Sequence, residues 1–87
     1  MTDEQRKNIE KPWNEYAKQH LLGRTIKAVR YLTPEEMDDL GWRSRSVAMF
    51  LDDGTIVWPS MDDEGNNAGA LFGEKKGGEE LTFPVIP

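Results

Sequence analysis

The first hydrophobic pattern along the chain has residues spaced three and four apart, the spacing of one helix face. Thr2 or Asp3 can cap the start of this helix, and Gly23 is the left-handed residue that often follows one. Pro12 removes a hydrogen bond and disfavours helical geometry just before it. The helix therefore either kinks or starts at Pro12, and we favour a well-formed helix that begins at Pro12, with residues 1–8 frayed. Its core-facing stripe is Ile9, Trp13, Tyr16, Ala17, His20 and Leu21.

The next two segments predict a strand and a short helix. GRTIKAVRYL has β-forming residues in imperfect alternation, which indicates a strand with a bulge. In LTPEEMDDLGW, Thr33 is a good N-cap, Pro34 fits the first helical position, and Glu36 can bond back to the cap amide. Gly41 ends this helix after about two turns. Four acids are then explained as solvated helix positions: Glu35, Glu36, Asp38 and Asp39.

The clearest signal is SVAMFLDDGTIVWP, in which two β-rich runs flank Asp53-Gly54. A two-residue loop at these positions places Phe50 opposite Val57. Both faces of this hairpin are apolar, so we expect it at the centre of a sheet, with the N-terminal helix on one face. Short strands at 70–72 and 80–87 would extend the sheet, with Pro84 at an edge and 74–80 as a mobile loop.

These elements predict an α+β fold, with a small bent antiparallel sheet or partial β-barrel, one N-terminal helix and one short two-turn helix. A chain of 87 residues is long enough for a single domain, residues 1–87, with one modest core. There is no cysteine, which excludes disulfides and thiolate metal sites. No run approaches the roughly 20 apolar residues of a membrane helix, and the N-terminus is polar, so we expect no membrane segment and a cytoplasmic location.

The net charge of −5 is unevenly distributed. Residues 1–33 hold seven Lys and Arg against four acids, whereas residues 34–87 hold four against twelve. Binding of nucleic acid needs clustered basic residues, so this distribution makes nucleic acid an unlikely partner for the whole domain. The distribution does not exclude a local basic patch.

The segment GWRSRS sets Trp42 beside Arg43 and Arg45 just before the central strand. Aromatic and arginine residues are favoured as interface anchors, and alternate arginines on a strand would point the same way. These residues are our candidate partner-binding site, with a protein as the partner. The alternative is that Trp42 packs into the core while the arginines pair with the chain's acids. Further basic residues could extend the patch: Arg24, Lys27 and Arg30.

A second candidate is the acidic loop that follows the hairpin. Its carboxylates and amides suit a hard cation such as calcium, but their spacing does not match an EF-hand. The alternatives are a surface turn built on Gly65 and Gly69, or a loop that contacts a ligand. The possible cation or ligand residues are Asp62, Asp63, Glu64, Asn66 and Asn67.

Catalysis has little support in the sequence. His20 lies on the apolar stripe of the first helix, which favours a structural role. The paired acids are adjacent in sequence, and acid catalysis needs two carboxyls that converge across a cleft. No phosphate loop, dinucleotide fingerprint or zinc spacing is present, so we assign no catalytic residue, metal site or cofactor.

Two stretches, LLGRTIKAVRYLTPEEMDDLGW and VAMFLDDGTIVWPSMDDEGNNAGALFG, resemble a family of small bacterial domains. That family carries a G-x-T-I strand, a T-x-E-E-M helix turn ending in Leu-Gly-Trp, and a D-D-G-T hairpin. The match covers about residues 21–73. The resemblance implies a compact bacterial domain and brings no activity, cofactor or catalytic residue with it.

Two interpretations of function follow. We favour a non-enzymatic binding or accessory module that contacts another macromolecule through the hairpin edge, the Trp42-Arg43-Arg45 turn or the acidic loop. The alternative is a cation-binding or small hydrolase-like protein centred on residues 62–67. The oligomeric state is not determined by either interpretation.

Overall fold

The computed structural model describes residues 2–60 and 68–86. These residues form two helices, α1 (Asp3–Leu21) and α2 (Pro34–Leu40). They also form five strands, β1 (Ile26–Tyr31), β2 (Val47–Leu51), β3 (Ile56–Pro59), β4 (Leu71–Glu74) and β5 (Glu80–Phe83). Each strand pairs antiparallel with its neighbour in the chain. The predicted α+β class is confirmed, and the sheet is open, with β1 and β5 at its edges.

Helix α1 begins nine residues earlier than the sequence suggested. The Thr2 hydroxyl accepts a hydrogen bond from the Gln5 amide at 3.2 Å, and the Gln5 side chain accepts one from the Thr2 amide at 2.8 Å. This capping box satisfies two amides that a helix start leaves unpaired, so the helix forms ahead of Pro12 and continues through it. The expected start at Pro12 is therefore wrong. The fraying of residues 1–8 stays a prediction.

The predicted stripe of α1 faces the sheet at β5. The Tyr16 ring lies 5.3 Å from the Phe83 ring, and the His20 ring lies 4.6 Å from Tyr16 and 6.2 Å from Phe83. His20 is therefore part of an aromatic cluster that docks the helix, in agreement with a structural role. The half-buried residues of α1 all belong to the stripe: Ile9, Tyr16, Ala17, His20 and Leu21.

The β2–β3 hairpin is central, as expected, but its loop has three residues instead of two. The Gly54 amide bonds to the Leu51 carbonyl at 3.1 Å, and the Leu51 amide bonds to the Thr55 carbonyl at 2.8 Å. Gly54 has a φ of 87° and is the third residue of the loop, directly after the tight turn. This extra residue shifts the pairing by one position, so Phe50 lies opposite Ile56 and the predicted register is wrong.

The β4–β5 hairpin repeats the same turn. The Gly78 amide bonds to the Lys75 carbonyl and the Lys75 amide to the Glu79 carbonyl, both at 2.8 Å, and Gly78 has a φ of 91°. Strands β4 and β5 reach Glu74 and Glu80, so the connecting segment is 75–79. Both turns lie at one end of the sheet, and a Cβ on Gly54 would lie 2.9 Å from the Lys76 Cβ. The mobility expected for this segment stays a prediction.

The hairpin supplies most of the core. Its two strands and loop contribute four of the seven buried residues found in the described part of the chain. The buried residues are Leu32, Ala48, Leu51, Val57 and Leu81, which are apolar, Thr55, which is polar, and Gly73. Edge strand β1 contributes no buried residue, because all six of its residues are exposed. Its predicted bulge is confirmed, since the register with β2 shifts between Ile26 and Ala28.

An apolar row crosses the sheet at the end opposite the two turns. Tyr31 pairs with Val47, Pro59 pairs with Leu71, and Leu71 pairs with Phe83. Val47 and Pro59 lie two residues beyond the paired Met49 and Val57, so side-chain alternation puts them on the same face. We call this set the terminal row: Tyr31, Val47, Pro59, Leu71 and Phe83. Helix α1 packs on its Phe83 end, whereas Tyr31 at the other end is 64% exposed.

Candidate functional site

An open depression of about 670 Å³ lies over the exposed end of the terminal row. Its lining combines three residues of that row with the whole segment between α2 and β2. The lining residues are Tyr31, Gly41, Trp42, Arg43, Ser44, Arg45, Ser46, Val47, Pro59 and Ser60. The three residues of our candidate partner-binding site, Trp42, Arg43 and Arg45, therefore line one concave surface. We call it the Trp42 depression.

The end of α2 fixes the backbone of Trp42. Gly41 adopts the left-handed conformation, with a φ of 74°, as expected for a helix-ending glycine. Its amide bonds to the Asp38 carbonyl, and the Trp42 amide bonds back to the Met37 carbonyl at 3.0 Å. These bonds are the pair that closes a helix end. Trp42 therefore enters the depression from a backbone held by the helix, and its side chain is half-buried.

The start of α2 is fixed to the sheet. The predicted capping box is confirmed, since the Thr33 hydroxyl accepts from the Glu36 amide at 3.2 Å and the Glu36 carboxylate accepts from the Thr33 amide at 2.7 Å. The same carboxylate accepts two bonds from Arg30 of β1, at 2.7 and 3.1 Å. The hydrogen bonds from Arg30 are the largest cause of a lowered pKa at Glu36, and the Thr33 amide is the next. Together they lower the pKa of the Glu36 carboxyl from 4.5 to about 2. Glu36 is thus more than a solvated helix position.

Arg43 and Arg45 lie in a loop and not on a strand. The chain bends at Arg43 and Ser44 before β2 begins at Val47, so strand alternation does not set the direction of the two side chains. Both residues are exposed and line the same depression. Within residues 2–60 and 68–86, no carboxylate forms an ion pair with either arginine. The alternative in which the arginines pair with the chain's acids therefore has no support in that part of the chain.

The other basic residues do not extend this patch as a group. Arg24 lies at the turn end of the sheet, where its guanidinium is 3.4 Å from Asp52 and 3.8 Å from Asp53. Arg30 is held by Glu36, and its guanidinium lies 4.9 Å from the centre of the Phe50 ring. Neither Arg24, Lys27 nor Arg30 lines the Trp42 depression.

Two serines of the depression differ in their hydrogen bonding. The Ser60 hydroxyl donates to the Ala70 carbonyl at 2.7 Å. The Ser46 hydroxyl is buried and has no partner among the residues that the structure describes. A buried hydroxyl is seldom left unpaired, and Ser46 is one of two such cases among the described residues, together with the Trp58 indole N–H.

The acidic loop lies outside the described residues from Asp62 through Asn67, so its cation and ligand roles stay predictions. Elsewhere in the described chain, no three His, Cys, Asp or Glu side chains are grouped closely enough to hold a metal ion. Neither described helix has the length and apolarity needed to cross a bilayer. A second depression, of about 370 Å³, lies on α1 between side chains of mixed charge and has no aromatic lining.

Sequence reasoning missed four members of the depression: Tyr31, Val47, Pro59 and Ser60. They belong to or follow three different strands and come together only through the strand pairing. No family model, curated protein or solved structure matches this chain. The resemblance to small bacterial domains therefore stays a prediction, and the site rests on the geometry alone.

Proposed function

We propose that the protein is a non-enzymatic binding module that holds an acidic segment of another protein in the Trp42 depression. Trp42 and Tyr31 would contact apolar parts of the partner, and Arg43 and Arg45 would bind its carboxylates. The resemblance to small bacterial domains favours a bacterial protein as the partner.

The observation that carries this proposal is that two exposed arginines without carboxylate partners in the described chain line an aromatic depression. Arginine forms two parallel bonds to a carboxylate, and its charge also speeds the approach of an acidic partner. Trp, Tyr and Arg are the residue types that most often dominate the binding energy of protein interfaces. The exposure of Tyr31 and the half-exposure of Trp42 leave both rings accessible.

The absence of convergent catalytic groups in this depression supports binding over catalysis. Among the described residues, its lining holds no carboxylate, histidine or lysine, and the polar groups without a partner are guanidinium and hydroxyl groups. A serine can act as a nucleophile only when a base lies within hydrogen-bond reach. Ser46 has no such neighbour in the described chain.

The test is an amide-resolved NMR titration with an acetylated, amidated tetraglutamate peptide, with tetralysine as the opposite-charge probe. We expect saturable shifts at Trp42 to Ser46 and at the Trp42 indole with tetraglutamate alone. The Arg43→Ala/Arg45→Ala variant should bind at least about tenfold more weakly, because both carboxylate contacts are lost.

The matched control is Lys75→Ala/Lys76→Ala, which removes the same charge at the opposite end of the sheet. This control should bind as the unmodified protein does. Equal weakening in both double variants would mean that tetraglutamate responds only to net charge, and the proposed site would be wrong.

A further inference from the structure

The open edge of β1 has free backbone groups. The Leu32 amide bonds to the Ser46 carbonyl at 2.9 Å, so Leu32 and Ser46 form a hydrogen-bonded pair. This pair determines which residues of β1 bond to β2. Alternate residues of an antiparallel strand bond to the same neighbour, so Ala28 and Arg30 face β2. The N–H and C=O groups of Val29 and Tyr31 therefore point away from the sheet.

Only part of this edge is protected. Edge strands are commonly guarded by lysines, bulges or covering side chains. The bulge at Lys27 interrupts the start of β1, and the Arg30 guanidinium donates to the Tyr31 carbonyl at 3.0 Å. Among the described residues, nothing covers the Val29 N–H, the Val29 C=O or the Tyr31 N–H in this way. The side chains beside them are also exposed, Val29 by 58% and Tyr31 by 64%.

The free edge leads into the Trp42 depression. Tyr31 is the last residue of β1 and also lines the depression. A chain that paired with Val29 and Tyr31 would therefore reach the depression at Tyr31, and Arg43 and Arg45 line the same depression. Backbone pairing supplies affinity in this mode of recognition, and side-chain pockets supply specificity.

We propose that the partner segment binds as an extended acidic peptide, which adds a strand beside β1 and places carboxylates at Arg43 and Arg45. This inference rests on the proposed function and names the conformation of its ligand. Charge favours such a peptide over a second copy of the chain. A second copy paired through its own β1 would bring no carboxylate to Arg43 and Arg45, because β1 carries Lys27 and Arg30 and no acidic residue.

The probe is an acetylated, amidated octapeptide with two glutamates at each end and a Thr-Val-Thr-Val centre. We expect it to slow hydrogen exchange at the Val29 and Tyr31 amides. Two further peptides carry N-methyl groups on both valines or on both threonines. Because strand pairing uses alternate residues, one of the two N-methylated peptides should bind at least about tenfold more weakly while the other binds like the parent.

The outcomes separate this inference from the proposed function. If both N-methylated peptides bind like the parent, and Arg43→Ala/Arg45→Ala still weakens them, strand addition is wrong and the acidic-segment site stands. If the octapeptide binds with no dependence on these arginines, the proposed function is wrong as well. Protection of the Val29 and Tyr31 amides that grows with protein concentration, without peptide, would identify a second copy as the occupant and overturn the peptide proposal.

Discussion

The Arg30 guanidinium on β1 and the Glu36 carboxylate on α2 form a two-pronged ion pair, with N–O distances of 2.7 and 3.1 Å. The same carboxylate caps α2 by accepting the Thr33 amide at 2.7 Å. One side chain thus ties the edge strand to the start of the helix whose far end holds Trp42. The geometry of the Trp42 depression therefore depends on a contact that lies outside its lining.

This pair predicts a specific acid sensitivity. The bonds from Arg30 and Thr33 lower the pKa of Glu36 to about 2, below its ordinary value of 4.5. A depressed folded-state pKa stabilises the fold above the unfolded value and loses that stabilisation as pH falls through the folded value. We expect Glu36→Gln to melt about 2–5 °C lower than the unmodified protein at pH 7, since the pair is partly exposed. Melting curves between pH 7 and 2 should show this difference shrinking below about pH 4.5.

The control for this prediction is Glu35→Gln, which removes the same charge from the first turn of α2 at a residue with no ion pair in the described chain. Its melting temperature should follow the unmodified protein more closely at every pH. A Glu36→Gln difference that stays constant down to pH 2 would contradict the assignment of the effect to the carboxylate.

The contact between the two hairpin turns predicts unequal costs for two similar glycines. Gly54 and Gly78 both have a positive φ, 87° and 91°, so alanine at either should cost about 1–2 kcal/mol of backbone strain. A Cβ on Gly54 would also lie 2.9 Å from the Lys76 Cβ, whereas a Cβ on Gly78 would meet nothing within 4 Å. We therefore expect Gly54→Ala to lower the free energy of unfolding by about 1–3 kcal/mol more than Gly78→Ala. Urea denaturation measures both, and equal losses would mean that the turns separate easily.

The sheet centre contains a glycine whose small size matters more than its backbone angles. Gly73 is buried, and a Cβ there would lie 3.1 Å from the Ile56 carbonyl oxygen and 3.2 Å from a Val57 methyl group. Gly73→Ala should therefore lose about 1–3 kcal/mol through overpacking. The control Gly77→Ala places its Cβ in open space and should change stability by less than about 0.5 kcal/mol. A Gly73→Ala protein as stable as this control would contradict the packing that the structure assigns to β3, β4 and β5.

Local chemistry predicted the elements well, because caps, turns and helix faces are set by neighbours in the chain. The Thr33–Glu36 capping box, the left-handed Gly41 and the stripe of α1 were all read from short-range spacing. The Thr2 cap of α1 was read in the same way and is confirmed, whereas the expected start of the well-formed helix at Pro12 is wrong. The helix continues through Pro12 although a proline removes one hydrogen bond and disfavours helical geometry just before it.

The pairing of strands and the contacts between elements were harder to predict from the sequence. The sequence identified Asp53-Gly54 as a turn, but it did not determine whether the loop had two or three residues, and that single residue changed every cross-strand pair. The Arg30–Glu36 pair was missed although the residues are only six apart in the chain, because the contact depends on the direction that the chain takes between β1 and α2. The floor of the Trp42 depression was missed because it comes from three strands. Trp42, Arg43 and Arg45 could be grouped from the sequence because they lie within four consecutive residues, and the structure places all three in the lining of the depression.

The last prediction concerns the glycine that positions Trp42. Gly41 and Gly23 each follow a helix with a positive φ, 74° and 79°, and a Cβ on either would meet nothing within 4 Å. Alanine at either position should therefore cost a similar amount, about 1–2 kcal/mol, through backbone strain alone. Only Gly41→Ala disturbs the bonds from Gly41 and Trp42 to the last carbonyls of α2.

We expect Gly41→Ala to shift the Trp42 indole signal and to weaken tetraglutamate binding by about threefold or more, because binding depends on a preorganised surface. Gly23→Ala should lose as much stability as Gly41→Ala but should bind tetraglutamate like the unmodified protein. NMR titration of both variants at a temperature where each is fully folded makes the comparison. Gly41→Ala could bind tetraglutamate with unchanged affinity while its Trp42 indole signal moves. In that case the arginines bind the peptide without Trp42, and Tyr31 on the open edge of β1 would be its aromatic contact.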